Sequence, residues 1–157
     1  MIKKLDRLEL KQFCEYLEKY YGIEEDFNGY VLLWSGKNKI RLTTIETYEF
    51  FEKMKKAESI GIYIAKRIGT DWVLSIEGTQ LIGNKIKKNF IELNREEAEK
   101  WMKGEPIKIK SEIPSKFIIG KYNGTFLGSG RVISNTIYPY VSKWRRITRT
   151  CPTSYHS

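Results

Sequence analysis

The densest run of chemistry-bearing residues lies near the C-terminal end. There Tyr138, Tyr140, Lys143, Trp144, Arg145, Arg146 and Arg149 interleave aromatic rings with cations. Cations neutralise phosphates and release counterions, while rings and guanidinium planes stack on unpaired bases. The combination suits RNA or single strands better than a helix reading a duplex groove, and no helix-turn-helix pattern is present. About half of these rings are expected in the core, because large aromatics dominate a small one. Lys143, Arg145 and Arg146 are therefore the firmer contacts. Lys85, Lys87 and Lys88 form a second cluster that reads either as a further contact or as a solvated turn.

Other chemistries find no footing. Metal sites need clustered His, Cys or carboxylates. The single histidine is His156, and Cys14 and Cys151 stand near opposite ends without ligand spacing. Two such cysteines read as free thiols, with Cys14 on an apolar stripe. Nucleophilic catalysis needs a nucleophile with a positioned base, which one terminal histidine does not supply. The carboxylates Glu15, Glu18, Glu49 and Glu52 read as solvated helix faces rather than as an acid–base pair. Gly128-Ser129-Gly130 leads into Arg131-Val132-Ile133 and not into a helix, so it lacks the strand–loop–helix setting of a phosphate loop. These glycines read as a bulge, a bend or a close backbone approach. No catalytic residue, metal or cofactor is expected.

Charge is unevenly shared along the 157 residues. Residues 1–83 hold 13 Lys and Arg against 13 Asp and Glu, whereas residues 84–157 hold 15 against 6, so the whole net charge of +9 sits in the second part. Such asymmetry points to a polyanionic partner for that part. No apolar run approaches the roughly 18 residues of a membrane helix. The charged start Met1-Ile2-Lys3-Lys4-Leu5-Asp6-Arg7 does not read as a signal peptide. A reducing cytoplasm is the expected location.

The elements that must position these groups follow from periodicity. Leu10, Phe13, Cys14, Leu17, Tyr20 and Tyr21 mark one face of a helix that Gly22 ends. Residues 30–34 and 39–43 read as a hairpin, 46–57 as a helix with Phe50, Met54 and Ala57 on one face, and 61–65 and 72–76 as strands. The domain junction is placed within Gly78–Lys88. Residues 90–93 then read as a strand. Asn94 with Glu97 predicts a capping box, with Ala98, Trp101 and Met102 on the buried face before Gly104 and Pro106 stop the helix. Strands follow at 107–110, 116–122, 125–133, 137–141 and 145–147, with Asn123-Gly124 the strongest hairpin signal. One short helix among five or six short strands predicts a small barrel.

Three segments of the second part carry a resemblance: Glu96-Glu97-Ala98-Glu99-Lys100-Trp101-Met102-Lys103-Gly104-Glu105-Pro106-Ile107, the hairpin from Phe117 to Val132, and Tyr140-Val141-Ser142-Lys143-Trp144-Arg145-Arg146-Ile147. Together they resemble a PUA domain, the RNA-binding module named after pseudouridine synthases and archaeosine transglycosylases. The ending is similar to PUA-like regions appended to Sun-family RNA cytosine-5 methyltransferases. The first part, with its Leu33-Trp34 strand and Lys39-Ile40-Arg41-Leu42-Thr43, is similar to the small domain that often precedes PUA in archaeal and ribosome-biogenesis proteins. Neither cysteine has the Pro-Cys setting of the methyltransferases, so their activity is not carried over. The resemblance implies RNA against the loop after the helix and against the closing strands, at Lys103, Gly104, Lys108, Arg131, Lys143, Arg145 and Arg146.

The expectation is thus an α+β protein, with a small pre-PUA-like α+β domain at 1–83 packed on a PUA-like mixed β-barrel with one short helix at 84–150, and a frayed tail at 151–157. It would grip tRNA or rRNA without catalysis, in RNA modification or ribosome biogenesis, beside a modifying enzyme or pre-ribosomal proteins. The alternative is an adaptor whose first domain docks such an enzyme or a ribosomal protein.

Overall fold

A computed structural model describes residues 3–54 and 60–142. Helix α1 (Arg7–Tyr21) starts earlier than its apolar stripe, because Asp6 and Glu9 exchange side-chain hydrogen bonds with each other's backbone N–H. It ends where Gly22 adopts a left-handed φ of 70°. Strands β1 (Lys3–Lys4), β2 (Tyr30–Ser35), β3 (Lys39–Thr44), β4 (Ile62–Ile68) and β5 (Asp71–Leu74) form an antiparallel sheet in chain order. Helix α2 (Ile45–Met54) lies between β3 and β4. It buries none of its residues, so Phe50 and Met54, expected on an inward face, stand 60% and 46% exposed. Ala57 and the end of that expected helix lie outside the described residues.

One local expectation is corrected, and a helix enters the stretch that follows. The strand read to residue 76 stops at Leu74, and Ser75 caps helix α3 (Ile76–Ile82) by accepting a hydrogen bond from Gly78 N–H. The stretch placed as the junction therefore begins inside a helix, followed by a 3-10 turn at Gly83–Lys85. Ser75 Oγ also donates to Tyr63 O, tying the cap to β4.

The second sheet is a curled half-barrel in the order β6 (Phe90–Glu92), β8 (Phe117–Tyr122), β9 (Thr125–Ile133), β10 (Thr136–Pro139), β7 (Ile107–Lys108). Its β6–β8 pair is parallel and the others antiparallel. Helix α4 (Arg95–Met102) has the expected Asn94–Glu97 capping box. Trp101 is fully buried beneath the sheet, and its Nε1–H donates to Leu127 O at 2.8 Å. Gly120 and Gly130 leave room for this ring: a Cβ on either would come within 2.9 Å and 3.2 Å of it.

Two cores result. One joins Phe13, Leu17 and Tyr21 of α1 to Ile40, Leu42, Ile64 and Trp72, and also takes in Ile119 of β8 and Phe126 of β9. The other gathers Leu93, Ala98, Trp101, Ile107, Ile118 and Ile137. Helix α3 reaches both, with Ile82 in the first and Ile76 in the second. Two glycines let it wedge in: Gly78 against the backbone of β4, and Gly128 of β9 against Ile76. Thr79 Oγ1 accepts from Gly128 N–H at 3.0 Å across that contact. The close backbone approach is thereby realised at Gly128, whereas Gly130 makes room chiefly for the Ile137 and Trp101 side chains.

Candidate nucleic-acid interface

Strand register decides which cations share a face. Directly paired residues point to the same side of a sheet, and alternate residues along a strand do too. Lys108 pairs with Thr136, which pairs with Ile133. Tyr138 pairs with Arg131, which pairs with Phe117. Ser129 pairs with Ile119 one step further along. These residues form one face, opposite the face of Ile107, Val132 and Ile137 that covers Trp101.

The first core covers only part of this face. Ile119 and Ser129 are buried, and Tyr20 of α1 accepts the Phe117 N–H through its hydroxyl. Beyond Phe117 the face opens to solvent: Lys108, Arg131 and Ile133 are exposed, and Tyr138 is 44% so. Tyr140 continues the row, its ring 6.4 Å from that of Phe117 and 41% exposed. Burial pushes the Tyr140 hydroxyl above the ordinary tyrosine range, and the Arg131 cation acts against that shift. The open half thus combines two cations with two accessible rings, the pairing that phosphates and unstacked bases require.

The other expected contacts are dispersed. Lys103 and Gly104 lie at the end of α4, where Lys103 is half-buried and Gly104 takes a left-handed φ of 74° to start the loop into β7. Lys85 is bound to Glu25, a carboxyl that this hydrogen bond holds below its usual range. Lys87 and Lys88 are exposed, with backbone N–H groups that donate to Tyr21 O at the end of α1. Lys143, Arg145, Arg146 and Arg149 lie outside the described residues.

Some functional candidates escaped the sequence reading. Lys116 stands exposed at the start of β8, 4.0 Å from Asp71, and its carbonyl accepts Val132 N–H beside the open face. A cleft of about 440 Å3 also opens where the chain leaves β10, lined by Lys39, Tyr63, Lys66, Glu77, Tyr140 and Ser142 among others. Nothing in the local pattern signalled it, because its walls are far apart in sequence. Lys121, by contrast, lies over the Phe90 and Phe126 rings at 5.2 Å and 5.0 Å and pairs with Glu92 at 3.7 Å, so it serves the structure.

Glu15, Glu18, Glu49 and Glu52 are all exposed. Cys14 is half-buried against the first core, and burial raises its thiol above the usual range. Among the described residues, no three His, Cys, Asp or Glu side chains gather as a metal site. No helix of these residues is long and apolar enough to cross a membrane.

Residues 88–147 match the family model described as the methyltransferase RsmF PUA domain. No curated protein matches the chain. The match begins just before β6 and takes in α4, the Trp101 core and the open face. The chain therefore carries a PUA-like domain of the RsmF methyltransferase type, and this supports RNA as its partner.

Proposed function

We propose that this chain is a non-catalytic RNA-binding protein that grips structured RNA, tRNA or rRNA, in RNA modification or ribosome biogenesis in the cytoplasm. The observation that carries the reading is the open half of the PUA-like sheet. Register there brings Lys108, Arg131, Tyr138 and Tyr140 to one solvent-facing row. Lys143, Arg145, Arg146 and Arg149 follow within a few residues and extend the cationic supply. The absence of catalysis rests on residue types: one histidine, His156, leaves no recognisable nucleophile–base arrangement. The test is binding of the purified protein to labelled bulk tRNA, an rRNA fragment and duplex DNA at two salt concentrations. Salt-sensitive binding that prefers one RNA over the duplex is expected. Equal, weak binding to all three would overturn the reading.

A second reading has its own observation. Helix α2 buries no residue and leaves Ile45, Phe50 and Met54 exposed, with Ile62 of β4 exposed as well. Exposed apolar surface of this kind fits a protein-docking role for the first part, as an adaptor for an RNA-modifying enzyme or a ribosomal protein. Capture of such a partner by the wild-type chain, lost on Phe50→Ser with RNA affinity unchanged, would favour it.

A further inference from the structure

We propose that the cleft between β4–β5 and the chain leaving β10 receives an unpaired nucleotide of the bound RNA. The base would lie against Tyr63 or Tyr140, and its phosphate would meet Lys39 and Lys66. The proposal rests on the RNA reading above and deepens it.

Three observations carry it. The first is the lysine pair. Lys39 and Lys66 are directly opposed in the β3–β4 register, an arrangement that like charges disfavour. Among the described residues, neither has a carboxylate within ion-pair distance. Lys39 Nζ instead sits 5.1 Å from the Tyr63 ring centroid. Two opposed cations with no carboxylate in ion-pair contact among the described residues are suited to an anion from outside. The second is size and lining. About 440 Å3 lies within the roughly 300–1,000 Å3 typical of small-ligand sites, and the walls alternate apolar residues (Ile68, Leu74, Ile76) with these polar groups. Glu77 also lines the cleft, and the two lysines outnumber it. The third is continuity. Tyr140 belongs both to the cleft wall and to the row that begins at Lys108 and Arg131. A strand lying along that row is led into the cleft, so the first part of the chain would join the second in holding RNA.

The test uses the full chain and a fluorescent RNA hairpin, made blunt or with a short single-stranded tail. Wild type should favour the tailed form by roughly tenfold or more, the scale of a base–aromatic stack together with the phosphate contacts that seat it. In the double variant Lys39→Ala/Lys66→Ala that advantage should shrink to about twofold, with binding of the blunt hairpin retained. Circular dichroism melting checks that the variant stays folded. A tail preference of wild-type size in the variant overturns the cleft assignment, as does equal wild-type binding of both hairpins. In both cases the RNA reading survives. Failure of the wild type to bind either hairpin overturns the RNA reading and the cleft together. Free adenosine monophosphate that binds at Tyr63 without competing against the tail would put a small metabolite there and also overturn the proposal.

Discussion

Replacing Gly78 by Ala should destabilise the protein, against the usual sign for such a change. In an exposed helix, Gly to Ala stabilises by about 1 kcal/mol. Here the new Cβ would stand 2.2 Å from Ile64 O and 2.9 Å from Ile64 C, both backbone atoms of β4. Restoring an ordinary contact of about 3.5 Å requires α3 and β4 to part by about 1 Å. Overpacking of this kind costs roughly 1–3 kcal/mol. The same movement strains the Thr79–Gly128 hydrogen bond on the other side of α3, worth about 1 kcal/mol. After the propensity gain, a net loss of about 1–3 kcal/mol remains, which for a chain of this size lowers Tm by roughly 2–12 °C. Differential scanning calorimetry of both proteins in one buffer is the assay. A Tm equal to or above wild type would refute the wedge of α3 between the sheets.

Three further outcomes are expected. Lys108→Ala with Arg131→Ala would remove two of the proposed phosphate contacts, so the slope of log affinity against log salt should fall by roughly 1.4–1.8; parallel lines for both proteins would show that these cations do not touch the backbone of the RNA. Arg145→Glu with Arg146→Glu should weaken RNA binding by tenfold or more, the scale on which several lost phosphate contacts act, without changing the melting curve; unchanged affinity would remove those residues from the interface. Burial, chiefly, raises the hydroxyls of Tyr16 and Tyr21 above the tyrosine range, with a Tyr16 hydrogen bond to Asp71 adding to it. Groups raised in the folded state contribute stability that is complete below their unfolded value of about 10 and is lost as pH rises past it. Tyrosinate absorbance should therefore show late ionisation coincident with unfolding, and ionisation of every tyrosine in an intact fold would contradict the burial argument.

Legibility followed the range of the interactions. Asn123-Gly124 and Asn94 with Glu97 were readable because the turn and the cap are settled within four residues. Helix α3 was not. Its seven residues include a glycine, and its stability comes from Ser75 and from packing on β4 and β9, which no short window contains. The amphipathic spacing of Phe50 and Met54 was real, yet α2 leaves both exposed. Among the site residues, Arg131, Tyr138 and Lys108 could be named from charge and resemblance. Their common face depends on the register of three strands. Lys85 was equally prominent, but Glu25, sixty positions away in sequence, holds it.

The first core has a consequence during synthesis. Residues up to Gly83 supply α1, the first sheet and α3, but Ile119 and Phe126 complete the packing around Phe13 and Trp72. At about 5–20 residues per second, the roughly 40 residues between Gly83 and Phe126 take on the order of 2–8 s to make. For that interval the nascent first part carries an unfilled apolar face and no net charge to keep copies apart. Slowed elongation across residues 84–126 should therefore lower the soluble yield, and the lysine-rich stretch that follows brings both the missing side chains and the repulsive charge.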